Sequence, residues 1–315
     1  METVMKRLSF AALALGLLAS TAAHADVTVY SAGPGALIKN LAAGFTEQTG
    51  IKANVFQATT GKVMARLEAE ASNPVADVVV SASWGTATDF AAKDLLLAYE
   101  SPNAETVPDF LKMEGAVAQG VAGLIIAWNT ESGTPKPADW SDLAKPEYKD
   151  LVTLPDPAAS GGTYTLVEAF IANDMTDVLQ GLKDNGAIVA GANKAALNPV
   201  LQGAKAAVFA GVDYITMGAA AKGETIEAIF PESGTVVAPR PIMILKSSQN
   251  QDDAKKFIDY VLSEEGQQAV AKVNLMPSRT DIKVDRPLIG DLKLLSNEGA
   301  PARDDVLAGF KAIFN

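Results

Sequence analysis

The sequence predicts an α/β fold in two lobes joined by hinge strands. Three observations carry this expectation. From Asp26 onward short apolar runs alternate with longer helical ones, and continuous apolar strands separated by helices imply a parallel sheet covered on both faces. The 315-residue chain exceeds what one hydrophobic core usually organises, which favours two lobes. Two long extended segments, Val121 to Trp128 and Val236 to Lys246, read as a pair of hinge strands, one leaving the first lobe and one returning to it.

The elements follow in order. Val27 to Ala32 reads as a strand, Ala36 to Gln48 as a helix, Ile51 to Phe56 as a strand, Lys62 to Ala71 as a helix and Asp77 to Ala82 as a strand with an apolar Val78-Val79-Val80 centre. After the apolar strand Val121 to Trp128, the polar, Pro-rich stretch Asn129 to Asp139 marks a boundary at the surface. The rhythm then repeats: strand Val152 to Leu154, helix Thr163 to Asn173, strand Ala187 to Ala190, helix Asn198 to Lys205 and strand Ala206 to Phe209. Beyond the second hinge strand, interrupted by Pro239 and Pro241, lie helices over Asp252 to Leu262, Glu264 to Val273 and Pro301 to Phe314. These divisions put residues 26–125 and 240–281 in the first lobe, and 126–239 and 282–315 in the second.

Residues 1–25 read as a removable leader. Lys6-Arg7 precede an apolar run from Leu8 to Ala19, and Ala23-His24-Ala25 form a small-residue cleavage site before Asp26, the pattern of a secretory signal peptide. A membrane anchor needs about twenty apolar residues, and this run is shorter. Met5 is an alternative start, because Glu2 is out of place in a positively charged leader. His24 is the only histidine and there is no cysteine, so the mature chain has neither imidazole nor thiol. A catalytic triad and a zinc site built on those groups are therefore excluded, and packing alone must hold the fold.

The formal net charge is -11, and removing Glu2, Lys6 and Arg7, a net +1, leaves -12. Basic residues are scattered singly, which argues against nucleic acid as a partner. No GxSxG, S-x-x-K, GxGxxG or P-loop is present. Among carboxylates at strand ends, Asp156 and Asp213 stand out, which keeps a secreted hydrolase open as a remote alternative.

In a parallel α/β sheet the ligand crevice lies beyond the carboxyl ends of the strands, where loops feed helix N-termini. Three such loops occur in the first lobe: Ser31-Ala32-Gly33-Pro34-Gly35, Thr59-Thr60-Gly61-Lys62 and Ser81-Ala82-Ser83-Trp84-Gly85. Their hydroxyls can serve a ligand or merely cap helices. Trp84 can stack on a ligand or wall the first lobe's core. The second lobe offers Asp156-Pro157-Ala158-Ala159-Ser160-Gly161-Gly162-Thr163, where glycines let an anion approach unpaired amides at a helix start, although a generic turn has the same composition. Gly211-Val212-Asp213-Tyr214 puts a carboxylate and a phenol at the same sheet edge, readable equally as an exposed acid and a core-edge tyrosine.

Several segments together resemble one family. The leader, Val27-Thr28-Val29-Tyr30-Ser31, Thr60-Gly61-Lys62-Val63, Asp77 to Ser81, Asp156-Pro157 through Ser160-Gly161, Lys255-Lys256-Phe257, Ser263-Glu264-Glu265-Gly266-Gln267 and Pro277-Ser278-Arg279 are similar to the ferric-iron-type periplasmic solute-binding proteins of ABC importers. The resemblance spans nearly the whole mature chain. It implies a type II periplasmic-binding-protein-like fold, a cleft that closes on its ligand, periplasmic location, no catalysis, no cofactor, a monomer, and delivery to an inner-membrane permease with its ATPase. Iron-binding members carry two adjacent tyrosines where this chain has Val212-Asp213-Tyr214-Ile215, and ferric iron wants paired phenolates. The Ser160-Gly161-Gly162 loop matches the place where those proteins hold an accompanying anion. The resemblance therefore implies a small anionic ligand, an organophosphonate such as an aminoalkylphosphonate or a phosphorylated compound, with Asp213 meeting a ligand ammonium or hydroxyl. Ferric iron, completed by Tyr30 or Tyr164, and thiamine or a polyamine remain the alternatives. The expected ligand-binding residues are Ser31, Thr60, Gly61, Ser83, Trp84, Ser160, Gly161, Gly162, Asp213 and Tyr214, with no metal site.

Overall fold

The computed structural model describes residues 26–314, and the leader expected over 1–25 lies outside the described residues. Among the described residues no helix is long and apolar enough to cross a membrane. The first lobe opens with β1 (Val27–Ser31), α1 (Gly35–Thr49), β2 (Ala53–Gln57), α2 (Thr60–Ala69), β3 (Val78–Val80) and α3 (Trp84–Ala92). Strand β1 runs parallel to β2, from Val27↔Ala53 to Ser31↔Gln57, and parallel to β3, from Val29↔Val78 to Ser31↔Val80. Parallel neighbours require crossover connections, which α1 and α2 supply, and the three strand carboxyl ends consequently stand side by side.

A short β4 (Lys112–Met113) leads into β5 (Ala116–Asn129), whose fourteen residues are all buried. The second lobe then comprises β6 (Val152–Leu154), α4 (Gly161–Ala172), α5 (Thr176–Asp184), β7 (Ile188–Val189), α6 (Asn193–Leu201), β8 (Ala207–Val212), α7 (Asp213–Ala220) and β9 (Ile226–Ile229). Strand β10 (Val237–Ile244) returns to the first lobe, followed by α8 (Gln251–Val261), α9 (Glu264–Lys272), β11 (Met276–Pro277) and the terminal α10 (Arg303–Phe314).

Strand order along the sheet is β2-β1-β3-β10-β5-β8-β6-β7. Strand β5 joins the lobes: its first half pairs with β10, down to Gly123↔Val237, and its second half pairs with β8 from Leu124↔Val212 onward. The lobe limits expected at 125/126 and 239/240 thus fall within two strands that pass between the sheets. Each sheet is mixed rather than wholly parallel, because β5 leaves and β10 returns in opposite directions and both pair antiparallel with their neighbours. The hinge strand also starts at Ala116, earlier than expected, since its small residues Ala116, Ala118 and Gly120 carry little apolar signal. Elements α5, α7 and β9 add to those expected from the sequence, and α6 begins five residues before the expected Asn198.

Each lobe is closed by aromatic packing. In the first, Phe45 of α1 meets Phe257 of α8 edge-on at 5.2 Å between centroids. In the second, Trp140, Phe170 and Phe209 form a triad 4.8–6.0 Å apart, and the Trp140 Nε1–H donates to the Gly234 carbonyl at 2.8 Å. Aromatic pairs of this kind contribute about 0.5–1.5 kcal/mol each beyond their buried area, a useful addition in a chain with no cysteine to cross-link.

Candidate ligand-binding cleft

The first-lobe loops that leave β1, β2 and β3 face the second-lobe loops that enter α4, α6 and α7 across a cleft of about 800 Å³. Its floor is formed by the hinge strands, through Ala122 and Leu124 of β5 and Ala238 and Arg240 of β10. A separate hollow of about 500 Å³ beside Tyr99 and Glu114 is lined by the start of β5 and not by the loops that follow β1 to β3. The large cleft is therefore where helix N-termini with unsatisfied amides converge, the arrangement that favours an anion.

At α4 the Ser160 side chain caps the helix. Its Oγ accepts from the Thr163 amide at 3.2 Å and from the Thr163 hydroxyl at 3.0 Å, and donates to Asn193 Oδ1 at 2.6 Å. Its hydroxyl is thereby committed to the protein. What the turn leaves for a ligand is its amides: a Cβ placed on Gly161 would meet no atom within 4 Å, whereas one on Gly162 would press on Leu124 at 3.2 Å. Across the cleft, the N-cap residues Thr59 of α2 and Ser83 of α3 make no side-chain capping bond, and Gly61 likewise faces open space. Thr60, Gly61, Ser83, Ser160, Gly161, Gly162 and Tyr214 all line the cleft.

Three of the expected residues do not line it. Ser31 is fully buried, and its Oγ accepts the Gly33 amide at 3.1 Å, fixing the turn behind the cleft wall. Trp84 packs against the hydrophobic core, the second of the two roles open to it in sequence. Asp213 is fully buried beneath the hinge: its Oδ1 accepts the Tyr214 amide at 2.6 Å and its Oδ2 accepts Arg286 Nη2 at 2.5 Å. Burial pushes the Asp213 carboxyl up, and the Arg286 guanidinium opposes that shift. The expectation that Asp213 meets a ligand ammonium is corrected on this ground, because its charge is answered from within the protein.

The residues that sequence reasoning missed are charged. Arg240, only 9% exposed, donates from Nη2 to Tyr214 Oη at 3.2 Å and lies 5.2 Å from the centre of the Tyr214 ring. Its Nε has no hydrogen-bond partner, and among the described residues it forms no ion pair. A buried guanidinium with no counter-charge is costly, and a bound anion would remove that cost. A sequence signal was available: Arg240 is the one charged residue in the run Val236 to Leu245, set between Pro239 and Pro241. Arg303, at the start of α10, also lines the cleft, with its guanidinium 4.3 Å from the centre of the Tyr164 ring, and Asp89 of α3 lines the opposite wall.

The two tyrosines considered as iron partners are engaged elsewhere. Tyr30 is buried and donates to the Glu70 carboxylate at 2.7 Å, and burial together with that carboxylate pushes its phenol up to about 12. Tyr164 donates to Glu168 at 2.9 Å, and neither lines the cleft.

Comparison with known proteins agrees with this architecture. The sequence profile described as bacterial extracellular solute-binding protein matches residues 73–294. A Salmonella typhimurium protein whose name assigns it, provisionally, to 2-aminoethylphosphonate binding in the periplasm is 26% identical over 300 residues, covering 88% of this chain and 87% of its own length. The major ferric iron-binding protein of Neisseria meningitidis serogroup B is 28% identical over 282 residues, 84% of each chain. Among solved structures, the periplasmic binding protein AfuA from Actinobacillus pleuropneumoniae, with exogenous fructose-6-phosphate bound, matches with a TM-score of 0.73 at 24% identity, over 92% of this chain and 96% of that one. That likeness establishes the two-lobe α/β fold. The named relatives are solute-binding proteins and not enzymes.

Proposed function

Because the chain belongs to the bacterial extracellular solute-binding protein family, we propose that it is the periplasmic capture component of an ABC importer for a small organic anion. The ligand carries a phosphonate or phosphate head, sits between the lobes, and is handed to an inner-membrane permease. The observation that carries this reading is Arg240, a buried guanidinium without a carboxylate at the floor of a cleft ringed by helix N-termini. Guanidinium forks match tetrahedral oxyanions bidentately, and the amides of Gly161, Gly162, Thr60 and Gly61 supply the neutral donors. The name of the Salmonella relative supports a phosphonate.

The test is a thermal-shift and calorimetric panel on the mature protein with 2-aminoethylphosphonate, ethylphosphonate, fructose 6-phosphate, thiamine, spermidine and ferric citrate. A ligand present at a thousand times its Kd stabilises the folded state by about 4 kcal/mol, so the cognate class should raise the melting temperature clearly. A rise with thiamine or spermidine alone would overturn the anion reading.

Substituting Gly161→Val should cost tenfold or more in affinity for the anion while leaving the empty protein's melting temperature nearly unchanged. The added side chain enters space that is open in the cleft, and a β-branched residue costs well under 1 kcal/mol at a helix start. Unchanged binding would remove the α4 amides from the site.

The ferric-iron reading is favoured by the name of the Neisseria relative. Against it stands the cleft chemistry: among the described residues Tyr214 is the one tyrosine lining the cleft, and it lies beneath the uncompensated Arg240. A hard trication wants several anionic oxygens, and a neighbouring guanidinium repels it. The protein should therefore stay colourless with ferric salts. A visible tyrosinate-to-iron band that disappears in Tyr214→Phe would restore the iron reading.

A further inference from the structure

The charges lining the cleft are not all of one sign. Arg240 and Arg303 are its cations and Asp89 is its single carboxylate, with no other ionised side chain among the lining residues. Asp89 is exposed, and among the described residues it has no ion pair or side-chain hydrogen bond. Helix α3 explains its placement. Gly85, Thr86 and Asp89 lie three and four residues apart, so they share the helix face that meets the cleft. The carboxylate therefore stands about one turn beyond the start of α3, on the same side of the cleft as the α2 amides of Thr60 and Gly61. It belongs to the first lobe, whereas Arg240 rises from the hinge and Arg303 from the second lobe.

Resting on the anion reading above, we infer that Asp89 is a specificity-determining residue that reads an ammonium on the ligand, so that the substrate class is a zwitterion with a dianionic head and one amine: a short aminoalkylphosphonate. The charge balance is the argument. Two guanidiniums and one carboxylate leave the cleft with a net +1, and a phosphonate dianion bearing one ammonium carries a net -1. A simple alkylphosphonate leaves Asp89 facing an anion across a cleft that closes, which like-charge juxtaposition penalises. A zwitterion turns the same carboxylate into an attraction between the lobes. Specificity then comes from a group that favours one ligand and repels its close analogue. The Asp213 carboxylate, locked by Arg286, is not available for this task.

The experiment pairs a protein change with a ligand change. Wild type and Asp89→Asn are titrated calorimetrically with 2-aminoethylphosphonate, 2-hydroxyethylphosphonate and ethylphosphonate, and Asp89→Glu serves as the charge-retaining control. Wild type should prefer the amine over ethylphosphonate by at least tenfold. Asp89→Asn should lose about tenfold for the amine, keep or improve its affinity for ethylphosphonate, and so erase the preference, while Asp89→Glu retains part of it. An equal loss for all three ligands, or a preference unchanged in Asp89→Asn, would overturn the inference while leaving the anion reading intact. A hydroxyl analogue that binds wild type as well as the amine and loses as much in Asp89→Asn would also overturn it, in favour of a hydroxylated ligand. If fructose 6-phosphate binds wild type and no phosphonate does, this inference falls while the anion reading stands; if neither class binds, the anion reading fails and this inference falls with it.

Discussion

Substituting Arg240→Gln is expected to weaken binding of the proposed anionic ligand by about thirtyfold or more and to leave the empty protein as stable as before, or slightly more so. The two effects share one cause. In the empty cleft Arg240 is a buried cation whose Nε lacks a partner among the described residues and whose one side-chain hydrogen bond among them runs to the Tyr214 hydroxyl, so a neutral residue relieves a desolvation cost. In the proposed complex the same guanidinium would be the charged partner of the head group, and truncating one member of a buried, hydrogen-bonded charge pair costs about 2–5 kcal/mol, or roughly thirty- to several-thousandfold in Kd. Arg240→Lys should fall between, since it keeps the charge and loses the planar fork. Calorimetry on the two variants beside thermal melts of their empty forms makes the check. A lower melting temperature with affinity intact would make Arg240 a structural residue and withdraw the central support of the anion site.

That opposition of stability and binding is why Arg240 was hard to recognise in sequence. In a run of apolar residues a single arginine between two prolines fits an exposed edge as well as a binding site, and only the strand pairing decides. Register sets Arg240 opposite Gly120, with a bulge before Pro241, three residues from the Gly123–Val237 pair where first-lobe pairing ends. The loops were legible for the opposite reason. Thr59 to Gly61 and Ser160 to Gly162 each follow a strand and open a helix within a few residues, so local chemistry places them without knowledge of the tertiary fold. Asp213 occupies the same kind of local position and yet points away from the cleft. Its partner, Arg286, comes from 73 residues further along the chain, and no periodicity or spacing foretells a pair of that range. Arg303 and Asp89 share the difficulty: each lies on an ordinary polar helix stretch, and it is the facing of the lobes that brings them to one cleft.

The Asp213–Arg286 pair carries the largest stability effect expected in the molecule. Its side chains are 0% and 4% exposed, and the arginine is tied on both sides: one Nη donates to Asp213 at the start of α7, and the other to the Asn274 carbonyl ahead of β11. A second-lobe helix is thereby bound to a first-lobe segment that pairs with the hinge strand β5 at Val121 and Gly120. Substituting Arg286→Met removes the cation and leaves the carboxylate buried without compensation, a change that typically costs about 3–5 kcal/mol. For a chain of this size that corresponds to a fall of roughly 10 °C in melting temperature. Neutralising both partners, in Asp213→Asn with Arg286→Met, should recover a large part of the loss, because the penalty lies in the orphaned charge and not in the missing attraction. The pH dependence has a definite sign. Burial already pushes the Asp213 carboxyl up, and without Arg286 nothing comparable opposes that push. A group whose folded-state pKa is raised is stabilising below its unfolded value and loses that stability as pH rises through the folded value. The Arg286→Met variant should accordingly approach wild type in mildly acidic buffer and fall furthest behind above neutrality. Melts of wild type, the single variant and the double variant at pH 5 and pH 8 decide it: a single variant that melts with wild type at pH 8 would show that the pair contributes little and that α7 is held by its apolar contacts alone.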